Sequence, residues 1–191
     1  MKFVCLGDSF TAGYGVAKDK NWVSLLNEES KDTFINKGVN GDTTGGMLAR
    51  FYRDVVDEKP NAVFIIGGLN DVFSCGDTTN LKSNIMAMVH QAFHNNIKPF
   101  ISIPMATIPE MIPSTWKNFI NLKNIGQIHK ELNDWYKDFS VAFSSGYIDI
   151  YNEFKNKTSA NESAEALFLD GLHLNESGNV HIKDIIMKTL Y

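Results

Sequence analysis

Five short apolar runs, Phe3 to Leu6, Phe34 to Ile35, Ala62 to Ile66, Pro99 to Ile103 and Tyr147 to Ile150, are separated by longer amphipathic stretches. Such runs suit strands buried on both faces, and the intervals suit helices that return the chain to the same end of a sheet. The pattern therefore predicts βαβ units and a parallel sheet. Within the intervals, Leu81, Ile85, Met88 and Ala92 share one face of a helix running from Leu81 to Phe93. Ile125, Ile128, Leu132 and Trp135 do the same from Phe119 to Tyr136. Asn175 is placed to cap a last helix whose Ile182, Ile185 and Ile186 face inward. At 191 residues the chain fits one domain, spanning 1–191, with a core large enough to need no staples.

The chemistry sits where this pattern puts loops. Gly7-Asp8-Ser9 follows the first predicted strand, Gly38-Val39-Asn40-Gly41-Asp42 the second and Gly67-Gly68-Leu69-Asn70-Asp71 the third. All three fall at carboxyl ends of parallel strands, the edge at which open α/β sheets bind ligands. Asp170-Gly171-Leu172-His173 precedes the last helix and can fold over the same edge. Ser9 is a candidate nucleophile and His173 a candidate general base. Asp170, three residues before His173, can orient the imidazole from within one tight turn. Asn70 carries an amide donor suited to an oxyanion, beside the backbone N–H groups of Ser9 and Gly41. Each block alone is weak, because Gly, Asp, Ser and Asn are also turn residues. The G-x-S-x-G elbow of α/β-hydrolases is absent.

Composition narrows the partners. A net charge of -4 with no Lys/Arg cluster gives no footprint for nucleic acid or an anionic membrane, which leaves a small, neutral or weakly charged substrate. No run approaches the roughly 18 apolar residues of a membrane span, so no stable membrane insertion is expected. The start runs directly into the Ser9 block without a signal-peptide core, which makes the cytoplasm the expected compartment. Cys5 and Cys75 form neither a disulfide framework nor a metal spacing. His90, His94, His129 and His181 read as surface or boundary residues. Pro104, Pro109 and Pro113 disfavour a regular helix between 104 and 116, yet that segment is apolar. Met105, Ile108, Met111, Ile112 and Trp116, with Tyr14 and Phe73, are candidates for the wall of an apolar acyl pocket.

Taken in order, Ser9, Gly41, Asn70, Asp170 and His173 resemble the four blocks of the SGNH hydrolases, the GDSL esterase and lipase family. Thr11 to Gly15, Trp22 and Leu25-Leu26 look like the bacterial branch that includes thioesterase I and arylesterases. The resemblance implies a flavodoxin-like three-layer α/β/α fold with a mainly parallel five-stranded sheet. It also implies no cofactor, and hydrolysis of carboxylic acyl esters or thioesters with a small-molecule acyl ester as substrate. Phe10 departs from the Leu of the family's name, and the leader common in the thioesterase branch is missing. Two alternatives stand beside this reading: a carbohydrate O-deacetylase of the same family, and a metal-dependent hydrolase with Asp8, Asp71, Asp170 and His173 as ligands.

Overall fold

A computed structural model of the chain describes residues 1–76, 78–104, 107–159 and 166–191; Met105 and the side chain of Cys75 lie outside what is described. Its sheet is built from β1 (Lys2–Gly7), β2 (Thr33–Gly38), β3 (Ala62–Ile66), β4 (Lys98–Ser102) and β5 (Gly146–Tyr147). The spatial order is β2-β1-β3-β4-β5 and every neighbouring pair is parallel. This is the flavodoxin-like order, in which the connections leave β1 in opposite directions and open a crevice at the carboxyl ends of β1 and β3.

The helices are α1 (Ser9–Ala12), α2 (Trp22–Glu29), α3 (Thr44–Phe51), α4 (Leu69–Cys75), α5 (Thr79–His94), α6 (Ser114–Lys117), α7 (Ile125–Phe143), α8 (Ile150–Ser159) and α9 (Glu176–Leu190). They cover both faces of the sheet. Successive strand residues point to opposite sides, so Val4, Leu6, Val63 and Ile65 pack with Met47, Phe51, Leu81, Ile85, Leu132 and Tyr136 from α3, α5 and α7. Phe3, Cys5, Phe34 and Phe64 pack with Trp22, Leu26, Ile182 and Ile186 from α2 and α9. Double coverage explains why β1 and β3 read as continuous apolar runs. The edge strand β2 pairs along its whole length with β1 although only Phe34 and Ile35 are apolar. The Asn175 side chain accepts from the Gly178 N–H at 3.0 Å and opens α9 as its sequence suggests.

Three local expectations need correction. The last strand ends at Tyr147. Asp149 then accepts from the Asn152 N–H at 3.2 Å, so Ile150 starts a helix instead of extending the sheet. Helix α7 begins at Ile125, not Phe119, and Phe119 is 85% exposed. His129 is 1% exposed, facing the core from α7 beside the Tyr151 ring. Among the described residues, no helix is long and apolar enough to cross a membrane.

Candidate active site

Ser9 owes its position to the way β1 ends. The Asp8 carboxylate accepts from the Phe10 N–H at 3.0 Å and caps α1, making Ser9 its first residue. Gly7 must be glycine here, because a Cβ would collide with the Thr11 side chain and the Ile66 carbonyl. From the other end of the chain, Asp170 organises a tight turn. Its Oδ1 accepts from the N–H groups of Leu172 and His173, at 2.9 and 2.8 Å, while Gly171 takes a left-handed conformation (φ 79°). Oδ2 is thereby left facing His173 Nδ1 at 2.8 Å, and His173 Nε2 lies 3.0 Å from Ser9 Oγ. With Nδ1 donating to the carboxylate, Nε2 is left to accept the Ser9 proton, the order a nucleophile, base and orienting acid require.

The neighbouring loops face the same point. Asn70, in the first turn of α4, donates through Nδ2 to the Asp42 carbonyl at 2.8 Å and lies 3.4 Å from Asp8 Oδ2. Asp71 anchors the loop after β2, accepting from the N–H and hydroxyl of Thr44 at 2.9 and 2.6 Å. Gly41 (φ 75°) is exposed, with open space where a side chain would be. Ser9, Gly41 and Asn70 all border one cavity of about 260 Å³. Asp8 is 3% exposed; burial, reinforced by the charges of Asp42 and Asp71 and opposed by the Phe10 N–H, pushes its carboxyl up to about 7.

Of the expected pocket residues, Tyr14, Phe73 and Trp116 border this cavity. Tyr14 and Trp116 flank the imidazole of His173, with ring centroids 4.3 and 5.8 Å away. Ile108, Met111 and Ile112 do not border it. Ile108 donates its N–H to the Gly171 carbonyl at 2.9 Å, Ile108 and Met111 pack on the α2 and α9 side of the sheet, and Ile112 is 3% exposed. This stretch supports the Asp170 turn from behind: a Cβ on Gly171 would meet the Ile108 carbonyl and Met111. The apolar wall is instead completed by Leu69, Ile120, Leu172 and Pro104. Leu69 and Leu172 lie inside the motifs themselves, next to Asn70 and His173, and that adjacency was the available signal. The metal alternative also fails on geometry: among the described residues no three His, Cys, Asp or Glu side chains form a ligand cluster. Asp71 is engaged by Thr44, and Asp170 by its own turn and His173.

A family model described as "GDSL-like Lipase/Acylhydrolase family" matches residues 5–180. An uncharacterised lipoprotein of Bacillus subtilis is 26% identical over 92% of this chain and 81% of its own length. An arylesterase of Vibrio mimicus is 38% identical over 46% of each chain, so the match spans about half of that relative. Among solved structures, a lipase/acylhydrolase from Enterococcus faecalis superimposes with a TM-score of 0.75 at 27% identity, covering 98% of this chain and 93% of its own.

Proposed function

This chain belongs to the GDSL-like lipase/acylhydrolase family, and from that premise we propose that it hydrolyses carboxylic acyl esters through an acyl-enzyme on Ser9. The observation that carries the reading is the line from Ser9 Oγ through His173, at 3.0 Å, to Asp170, at 2.8 Å. His173 Nε2 takes the Ser9 proton as Oγ attacks the acyl carbonyl, and Asp170 holds the imidazolium that forms. The oxygen turns anionic beside the N–H groups of Ser9 and Gly41, and the Asn70 amide joins them by turning to it the N–H that makes only a long contact, 3.4 Å, with Asp8. One such donor is typically worth about 10² to 10³ in rate. His173 then protonates the departing alcohol or thiol, activates a water for attack on the acyl group, and returns the proton to Ser9. The residues that meet in this step, Ser9 and His173, lie near opposite ends of the sequence, so the chain works as one catalytic domain.

Substrate size follows from the cavity. At about 260 Å³ the cavity is slightly smaller than ordinary small-molecule pockets of roughly 300–1,000 Å³, which favours a short acyl chain. Leu69, Ile120, Leu172, Phe73 and Pro104 give it an apolar wall beside the polar groups of Tyr14, Asn40 and Trp116, and that wall suits an apolar acyl chain. Short, apolar acyl esters fit better than acetylated carbohydrates.

The test is a fluorophosphonate label combined with a panel of p-nitrophenyl esters from acetate to palmitate. Expected are covalent addition at Ser9, loss of essentially all turnover in a folded Ser9→Ala protein, and a maximum among the short acyl chains. Turnover surviving in Ser9→Ala would remove the serine mechanism, and a maximum at palmitate would remove the size assignment.

A further inference from the structure

Arg50 does not border the cavity, yet its guanidinium ties together backbone and a carboxylate directly adjoining residues that do: Gly7 precedes Asp8 and Ser9, and Asp42 follows Gly41. From α3, with a side chain 10% exposed, it donates through Nη2 to the Gly7 carbonyl at 2.9 Å and through Nη1 to the Lys37 carbonyl at 2.8 Å. These are the carboxyl ends of β1 and β2. Through Nε it holds the Asp42 carboxylate at 2.7 Å, and Nη1 also meets Asp54 at 2.8 Å. Asp42 is therefore gripped on both sides, its side chain by Arg50 and its backbone carbonyl by the Asn70 amide. Gly46 leaves room for that carboxylate, since a Cβ at 46 would overlap Asp42 Oδ1.

Gly41 has no side chain and no neighbour within 4 Å of where one would start, so nothing holds it directly from that side. Its position is inherited from residue 42. We infer that Arg50 is a positioning residue for the oxyanion donors: it sets the distance between the end of β1, which carries Ser9, and the loop that carries Gly41 and receives Asn70. This inference rests on the acyl-enzyme reading above. A rigid fork with several donors in fixed directions suits the task. A lysine brings one flexible ammonium and cannot span both strand ends and Asp42 together.

Asp54 provides the internal control. It binds the same guanidinium and Arg53, and makes no hydrogen bond to the loop from 39 to 43. If Arg50 serves stability alone, losing either carboxylate partner should have the same consequences. The experiment measures kcat, KM and melting temperature for Arg50→Lys, Asp42→Ala and Asp54→Ala, with fluorophosphonate labelling of Ser9 in each. Displacing a donor should cost less than deleting one, so Arg50→Lys and Asp42→Ala are expected to lower kcat about 10- to 100-fold with KM little changed. Asp54→Ala should lower the melting temperature while keeping kcat within about twofold of wild type. Should Arg50→Lys fold poorly, Arg50→Ala assayed with added guanidinium replaces it, and recovery of kcat is expected. The inference is overturned if kcat falls equally in the Asp42 and Asp54 variants, if KM alone changes, or if guanidinium restores nothing. Absence of a Ser9 label in the wild type would instead overturn the acyl-enzyme reading.

Discussion

Asp8 has two roles that oppose one another. It caps the helix that presents Ser9, and the burial that fixes the cap raises its carboxyl from an unfolded value near 3.8 to about 7. A group with a raised folded pKa contributes stability that is complete below its unfolded pKa and is lost as pH rises through the folded one. At pH 8 the folded protein carries that carboxylate at a cost of at most about 4 kcal/mol, from roughly three units at 1.36 kcal/mol each. Asp8→Asn keeps an oxygen for the Phe10 N–H and removes the ionisation. The variant should therefore melt higher than wild type at pH 8, with the advantage shrinking towards pH 4. Urea unfolding at both pH values measures this, and an advantage independent of pH would disprove it. In the sequence Asp8 is one letter of a short motif. Its burial comes from Asn70 and Gly67 closing over it, contacts that only the folded crevice provides.

At the scale of elements, the segment from 107 to 120 separates packing from recognition. Its apolar content says that it covers something, and its prolines say that it is not one helix, but neither says which residues turn towards the cavity. Ile112 is buried away from the cavity and Ile120 borders it. Ile112→Ser should cost about 2–4 kcal/mol of stability and leave acyl-chain preference unchanged. Ile120→Ala should cost much less, being only partly buried, and move the preference to longer chains. Urea unfolding and the ester panel check both, and the reverse pattern would reassign the wall. The strands and the long helices α5 and α9 were legible because their apolar periodicity reports the sheet that buries them. Where a side chain's own hydrogen bond decides, as when Asp149 starts α8, or where the stripe runs on past the helix end, as at Phe119, periodicity misleads.

For the whole molecule, two buried groups, Asp8 and His129, act on stability in opposite senses between pH 4 and 6.5. Burial lowers His129 from 6.5 to about 4, moderated only by the Pro104 carbonyl, and neither ring nitrogen has a well-aligned partner among the described residues. A depressed pKa contributes stability that is present above 6.5 and lost as pH falls towards 4. Over that interval the Asp8 contribution runs the other way and opposes His129, while His181, also lowered by burial, sides with His129, so wild-type stability should change much less than either group alone would make it. His129→Leu should make stability fall as pH rises from 4 to 6.5, and Asp8→Asn should make it rise. Urea midpoints across that range decide, and parallel curves for all three proteins would show that other groups dominate. Three of the candidate site's four blocks could be placed together from the sequence, since they lie at strand ends and strand ends can be read; that the turn carrying Asp170 and His173 folds over the same edge is visible only in the structure. His129 was not legible either, because a histidine on an apolar stripe shows its environment only once α7 is packed. The hydrogen bond from Ser9 to His173 spans 164 positions. At synthesis rates of about 5–20 residues per second, a ribosome makes Ser9 roughly 8 to 33 s before His173. Throughout that time the nascent chain holds a serine without that partner, and on the acyl-enzyme reading every product cut short before His173 is hydrolytically silent.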